Sequence, residues 1–124
     1  MASPLAGRRI LVAEDEYLLA QSMADALQDA GAFVSGPVGD IEDALRLLAS
    51  PPLPHAAILD MNLGGESVYP VADRLLQEGI PFVFTSGYDR AMTPVRFAHA
   101  PHCTKPILPG EVMRAVAGLL SRVP

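Results

Sequence analysis

Four short stretches of the chain place groups that move or hold charge at the ends of apolar runs. Glu14-Asp15-Glu16 follows Arg9-Ile-Leu-Val-Ala13, and Asp60 follows Ala56-Ala-Ile-Leu59. Thr85-Ser86 follows Pro81-Phe-Val-Phe84, and Lys105 closes a shorter stretch over 101–104. Singly, each has an ordinary explanation. Glu14-Asp15 can complement a helix dipole, Asp60 can be a solvated loop acid, Ser86 a turn former and Lys105 a surface lysine. Jointly they do not read as chance, because Lys105 is the only lysine among 9 basic residues. If the runs are neighbouring strands, then Glu14, Asp15 and Asp60 share a rim with a hydroxyl and an ammonium. Carboxylates that close raise one another's pKa unless a cation joins them. A hard divalent ion such as Mg²⁺ suits such a set, and it commonly completes its octahedron with water and a phosphate oxygen.

The intervening sequence supplies the elements that would position these groups. Over 16–30, Leu19, Met23, Ala26, Leu27 and Ala30 recur at helical spacing, and Gly31 ends the helix. Residues 32–38 read as a weaker strand, and Asp40 is placed to N-cap a helix with Ile41, Ala44, Leu45 and Leu48 on one face. Ser50-Pro-Pro-Leu-Pro54 closes it. After Gly64-Gly65 a third helix carries Pro70 in its first turn and turns Val71, Leu75 and Leu76 inward. Residues 88–100 leave room for one short helix at most. Residues 108–123 give the last helix, with Pro109 in its first turn and Val112, Val116, Leu119 and Leu120 inward. Short apolar strands alternating with amphipathic helices predict an α/β chain with a parallel sheet covered on both faces. In such sheets ligands bind at the carboxyl ends of the strands, near the point where strand order reverses.

Composition bounds the remaining classes. The 124 residues suffice for one domain, 1–124, with its own core. Hydrophobic residues make up 50% and mean hydropathy is +0.27, which argues against disorder despite 12 prolines. The single cysteine, Cys103, excludes a disulfide framework and a Cys-rich zinc module. With 14 acids against 9 basic residues the net charge is −5, unsuited to a broad grip on nucleic acid or an anionic membrane. The first residues have their arginines after the apolar ones, the reverse of a secretory signal, and no run is long enough to span a bilayer. The expected location is cytoplasmic.

Ile10-Leu-Val-Ala-Glu14-Asp15-Glu16, Ile58-Leu-Asp60-Met-Asn62-Leu63, Pro81-Phe-Val-Phe-Thr-Ser86-Gly87-Tyr88 and Lys105-Pro106, in that order and spacing, resemble the response-regulator receiver domain of two-component signalling. The likeness extends over the whole chain and implies a flavodoxin-like fold with sheet order 2-1-3-4-5. It implies that Asp60 is the phosphoacceptor and that Asp15, Asp60, the backbone carbonyl of Asn62 and Glu14, the last directly or through water, hold Mg²⁺, or alternatively Mn²⁺. It implies further that Lys105 pairs with a phosphoryl oxygen through a cis Lys105-Pro106 junction. Ser86 becomes the switch hydroxyl, with Thr85, one position earlier and on the opposite side, as the fallback. The implied partners are a sensor histidine kinase or a histidine phosphotransfer protein, and the expected assembly is a monomer or weak homodimer. Such a phosphoprotein is not an enzyme beyond its own phosphorylation and dephosphorylation.

Departures from the usual pattern are as informative. Gly64-Gly65 stands where receivers usually carry proline, predicting a looser loop. The stretch from Ser86 to Lys105 is about a helical turn short, so the fourth helix should be short or irregular. The aromatic switch position three before the lysine is His102, and Tyr88 is the substitute candidate. Phe84-Thr-Ser-Gly-Tyr88 resembles the Phe-Ala-Thr-Gly-x-Tyr motif of small stand-alone alphaproteobacterial receivers. Because 106–124 suffices only for a last helix, no output domain is expected and the output would be a protein contact or competition for phosphoryl groups. The alternatives are a haloacid-dehalogenase-type Mg²⁺ phosphatase, which needs an acid where Asn62 stands, a flavodoxin-like cofactor binder, which needs a phosphate loop where Glu14-Asp15-Glu16 stands, and a degenerate receiver acting as an interaction module.

Overall fold

The computed structural model describes residues 3–87 and 93–121. The alternation read from the sequence is present as β1 (Arg9–Ala13), α1 (Tyr17–Asp29), β2 (Phe33–Val38), α2 (Ile41–Leu48) and β3 (Ala56–Asp60). It continues as β4 (Asn62–Leu63), β5 (Glu66–Ser67), α3 (Tyr69–Gln77), β6 (Phe82–Ser86), β7 (His102–Thr104) and α4 (Pro109–Ser121). A parallel five-stranded sheet runs β2-β1-β3-β6-β7, which is the order 2-1-3-4-5 once the small β4–β5 pair is set aside. Strand order reverses between β1 and β3, so Glu14-Asp15 and Asp60 leave adjacent strands at that reversal.

Period-two alternation divides the core between the two faces of the sheet. Leu11, Ala13, Ala57, Leu59, Phe82 and Phe84 pack with Ala44, Leu48, Val71 and Leu75 of α2 and α3. Ile10, Val12, Ala56, Ile58 and Val83 pack with Met23 and Leu27 of α1 and with Val112, Val116 and Leu120 of α4. Strands buried on both faces are continuous apolar runs for this reason. Gly31, at φ +86°, ends α1 as expected. Asp40 caps α2, its Oδ1 accepting from the N–H of Asp43 at 2.8 Å.

Two expectations change. Leu76 does not turn inward but is 38% exposed, because α3 presents Val71, Ala72 and Leu75 to the sheet. The Gly64-Gly65 stretch is not loose: both glycines have positive φ, +61° and +83°, and form the two-residue turn of the antiparallel β4–β5 hairpin. Leu63 is fully buried and anchors that hairpin in the core on the α2–α3 face. Thr85 and Ser86 are the last two residues of β6, at the strand end where the sequence places them. Between β6 and β7 the described residues contain only a single 3₁₀ turn, Val95–Phe97, where the short fourth helix was expected. Arg96 fastens this turn to α3 by two bonds to Asp73, at 2.8 and 3.2 Å, and lies over the Phe97 ring at 4.4 Å. Among the described residues no helix is long and apolar enough to cross a membrane.

Candidate functional site

β3 is buried along its length and β1 from Ile10 onward, so their last residues are carried to the carboxyl edge of the sheet with little freedom. Glu14 and Asp60 are themselves buried, at 3% and 4% exposure, while Asp15 is exposed. One oxygen from each of the three acids falls within 4.8 Å of the others. Lys105, at the end of β7, reaches into this set. Its Nζ donates to Asp60 Oδ2 at 3.0 Å and lies 3.7 Å from Glu14 Oε1 and 4.0 Å from Glu16 Oε2. The Lys105-Pro106 bond is cis, as expected. The pocket above these groups, about 550 Å³, is lined by Asp15, Asp60, Asn62, Gly65, Gly87 and Lys105.

Backbone donors hold the acids in place. Glu14 Oε2 accepts from the N–H of Glu16 at 3.0 Å, and Asp60 Oδ1 accepts from that of Asn62 at 3.1 Å. Asp15 Oδ2 accepts from the N–H of Gly64 at 3.0 Å, across from the hairpin. Among the described residues Glu14 Oε1 finds no hydrogen-bond donor although it is buried.

The electrostatics follow from this crowding. Burial first, and then the proximity of Asp60, push the Glu14 carboxyl up to about 8, against the lowering effects of the Glu16 N–H and Lys105. Burial alone would lower Lys105, but its bond to Asp60 and the charges of Asp60, Glu14 and Glu16 outweigh it, and the ammonium is held above its ordinary value. Lys105 is therefore a firmly charged counter-ion for Asp60. It leaves the Glu14 oxygen poorly compensated. An oxygen-only donor set with one buried, unbonded carboxylate oxygen matches what Mg²⁺ takes as ligands.

Ser86 and Thr85 occupy opposite faces of β6, Ser86 with Phe84 and Thr85 with Val83, and both are buried. The Ser86 carbonyl accepts from the N–H of Lys105 at 2.8 Å, tying the candidate switch to the lysine through the backbone. The Thr85 hydroxyl finds no hydrogen-bond partner among the described residues. His102 is half-buried on β7, its ring edge-on to Phe84 at 6.4 Å. Tyr88, the other candidate switch, lies outside the described residues. The glycine lining and the Gly64 N–H were not singled out from the sequence. Backbone donors leave no side-chain signature, and the glycine pair was the only available sign.

No family model and no curated protein matches the chain. Solved structures do. SdrG from Sphingomonas melonis Fr1 is 38% identical, with 95% of this chain and 98% of that one covered and a TM-score of 0.77. The chain belongs to the response-regulator receiver domains. The receiver domain of the PhyR response regulator from Erythrobacter litoralis is similar in fold, at TM-score 0.82 and 24% identity over 94% of this chain and 92% of that one. A receiver protein from Sinorhizobium medicae WSM419 matches at TM-score 0.79 and 23% identity over 94% and 96%. This receiver thus carries its acids, its lysine and its Gly-Gly hairpin on a fold shared with SdrG and with the PhyR receiver domain alike.

Proposed function

We propose that this receiver is a cytoplasmic phosphoacceptor of two-component signalling, taking a phosphoryl group onto Asp60 from a phosphohistidine on a sensor kinase or a histidine phosphotransfer protein. The observation that carries the reading is the setting of Asp60. It is buried at the strand-order reversal, bonded to Lys105 Nζ at 3.0 Å, with Glu14 and Asp15 oxygens within 4.8 Å and an open pocket above.

In the transfer, an Asp60 carboxylate oxygen forms a bond to phosphorus as the phosphorus–nitrogen bond of the donor breaks. The released imidazole keeps the electron pair and takes up a proton, and Asp60 becomes an acyl phosphate. Such a transition state spreads negative charge over the equatorial oxygens, and catalysis consists mainly of positioning and neutralising that charge. Lys105 is placed to follow it, exchanging its bond to Asp60 for one to a phosphoryl oxygen. Glu14, Asp15, Asp60 and the Asn62 carbonyl would hold Mg²⁺, with Mn²⁺ as a substitute; bound there, the cation would help neutralise the charge on the transferring group.

Ser86 would then hydrogen-bond the phosphoryl oxygens. Because its carbonyl is bonded to the Lys105 N–H, a shift of Ser86 would move the β6–β7 edge and the Arg96-fastened turn beside it. That shift biases a two-state surface, which a protein partner reads. A similar solved structure is the BeF3-activated conformation of SdrG, 36% identical, which is in keeping with an activatable receiver.

The test is incubation with acetyl phosphate and Mg²⁺ followed by intact mass. One added, base-labile phosphoryl group is expected in the wild type and none in Asp60→Asn. A stable phosphoryl group on the Asn variant would overturn the assignment.

A further inference from the structure

The hairpin that replaces a looser loop touches the candidate metal acids at two points, the Asn62 N–H on Asp60 and the Gly64 N–H on Asp15, and the second joins distant parts of the chain. Asp15 is exposed, and among the described residues the one hydrogen bond its carboxylate accepts is from the N–H of Gly64, at 3.0 Å. That donor is 49 residues away in sequence and belongs to the turn of β4–β5. The turn is held from both sides. Leu63 is sunk in the core beside it, and the Val68 N–H donates to the Met61 carbonyl at 2.9 Å where the hairpin closes. Gly64 adopts φ +61°, and a Cβ there would stand 3.1 Å from the Gly39 carbonyl oxygen and 3.5 Å from the Asp40 Cβ. Glycine is therefore suited twice over, to the left-handed turn and to the close approach to the 39–40 segment. A proline at this position would have no N–H to give.

We infer that Gly64 is the positioning residue for Asp15: its N–H fixes one carboxylate oxygen so that the other faces the cation site formed with Glu14 and Asp60. The inference rests on the proposed metal site and deepens it. An exposed aspartate without such a partner rotates freely and loses that freedom on binding a cation. Partners that orient a ligand from behind are typically worth about 10–100-fold in metal affinity. Because the donor is backbone, its position is set by how the hairpin packs against Gly39 and Asp40, so the site is assembled from the β1, β2 and β3 ends together.

The experiment is Mg²⁺ titration by calorimetry of EDTA-stripped wild type, Gly64→Ala and Gly79→Ala. Gly79, at φ +69° with open space around its Cβ position and after α3, controls for left-handed strain alone. Gly64→Ala should bind Mg²⁺ about tenfold more weakly, and Gly79→Ala should match the wild type. A second measurement needs neither metal nor a folded glycine variant. In the metal-free protein the Gly64 amide should exchange slowly with solvent, and it should exchange faster in Asp15→Ala. Equal Mg²⁺ affinity in wild type and a folded Gly64→Ala, or a Gly64 amide indifferent to Asp15→Ala, overturns the inference alone. A wild type that takes up no Mg²⁺ overturns the metal site beneath it, and the inference with it.

Discussion

Glu14→Gln separates two roles that a buried carboxylate can play, and the expected signs are opposite with and without metal. In the folded, metal-free receiver Glu14 titrates at about 8, against 4.5 when free, because it is buried and close to Asp60. Between those values the folded chain holds a proton that the unfolded chain releases. Stability from this group is therefore fully present below pH 4.5, falls as pH rises toward 8, and is flat above it. One pKa unit is about 1.4 kcal/mol, so at pH 7 the strain reaches at most about 3 kcal/mol, and about 1–3 is the range to look for. Glutamine keeps an oxygen for the Glu16 N–H and carries no charge. The variant should be more stable than wild type by that amount at pH 7 without metal, by little at pH 5, and its Mg²⁺-induced stabilisation should shrink. The assay is urea unfolding from pH 5 to 8.5, with EDTA or saturating Mg²⁺, read as the difference between the two proteins so that other titrations cancel. A variant that is less stable than wild type by the same margin at every pH without metal would refute the reasoning. Glu14 would then be a structural hydrogen-bond partner and not a strained charge.

Other substitutions probe the frame around the site. Lys105→Met removes the ammonium 3.0 Å from Asp60, and Lys105 is only partly exposed; the metal-free protein should lose about 1–3 kcal/mol, and Mg²⁺ should raise its melting temperature more than it raises the wild type's. A melting temperature equal to wild type in EDTA would show that Lys105 does not balance these acids. Leu63→Ala removes the fully buried anchor of the hairpin and should cost about 2–4 kcal/mol in urea unfolding, whereas a cost under about 1 would mean the hairpin is not built into the core. Arg96→Ala should speed amide exchange at Phe97, Ala98 and Ala100 several-fold while global unfolding hardly changes, since the bond to Asp73 fastens only the Val95–Phe97 turn. Unchanged exchange at those amides would show that the clamp is ornamental.

What could be read from residue order alone was whatever depends on periodicity and strand ends. Apolar runs at β1, β3 and β6 are legible because a strand buried on both faces must be apolar throughout, and the residue after such a run stands at the sheet edge whatever the loops do. This is why Glu14, Asp15, Asp60 and Lys105, scattered over the chain, were found before their distances were known. The hairpin escaped because its strands have two residues each, too few to show alternation, and because a glycine pair fits a loose loop as well as a tight turn. Its anchor, Leu63, is one apolar residue without a period. Leu76 was misplaced for a related reason: on a helix of nine residues one wrong phase moves a leucine from core to solvent. The consequence is specific. Periodicity identifies which side chains reach the pocket but not the backbone groups that orient them, so the Gly64 N–H, on which the aim of Asp15 depends, became visible only once the turn was seen packed against Gly39 and Asp40.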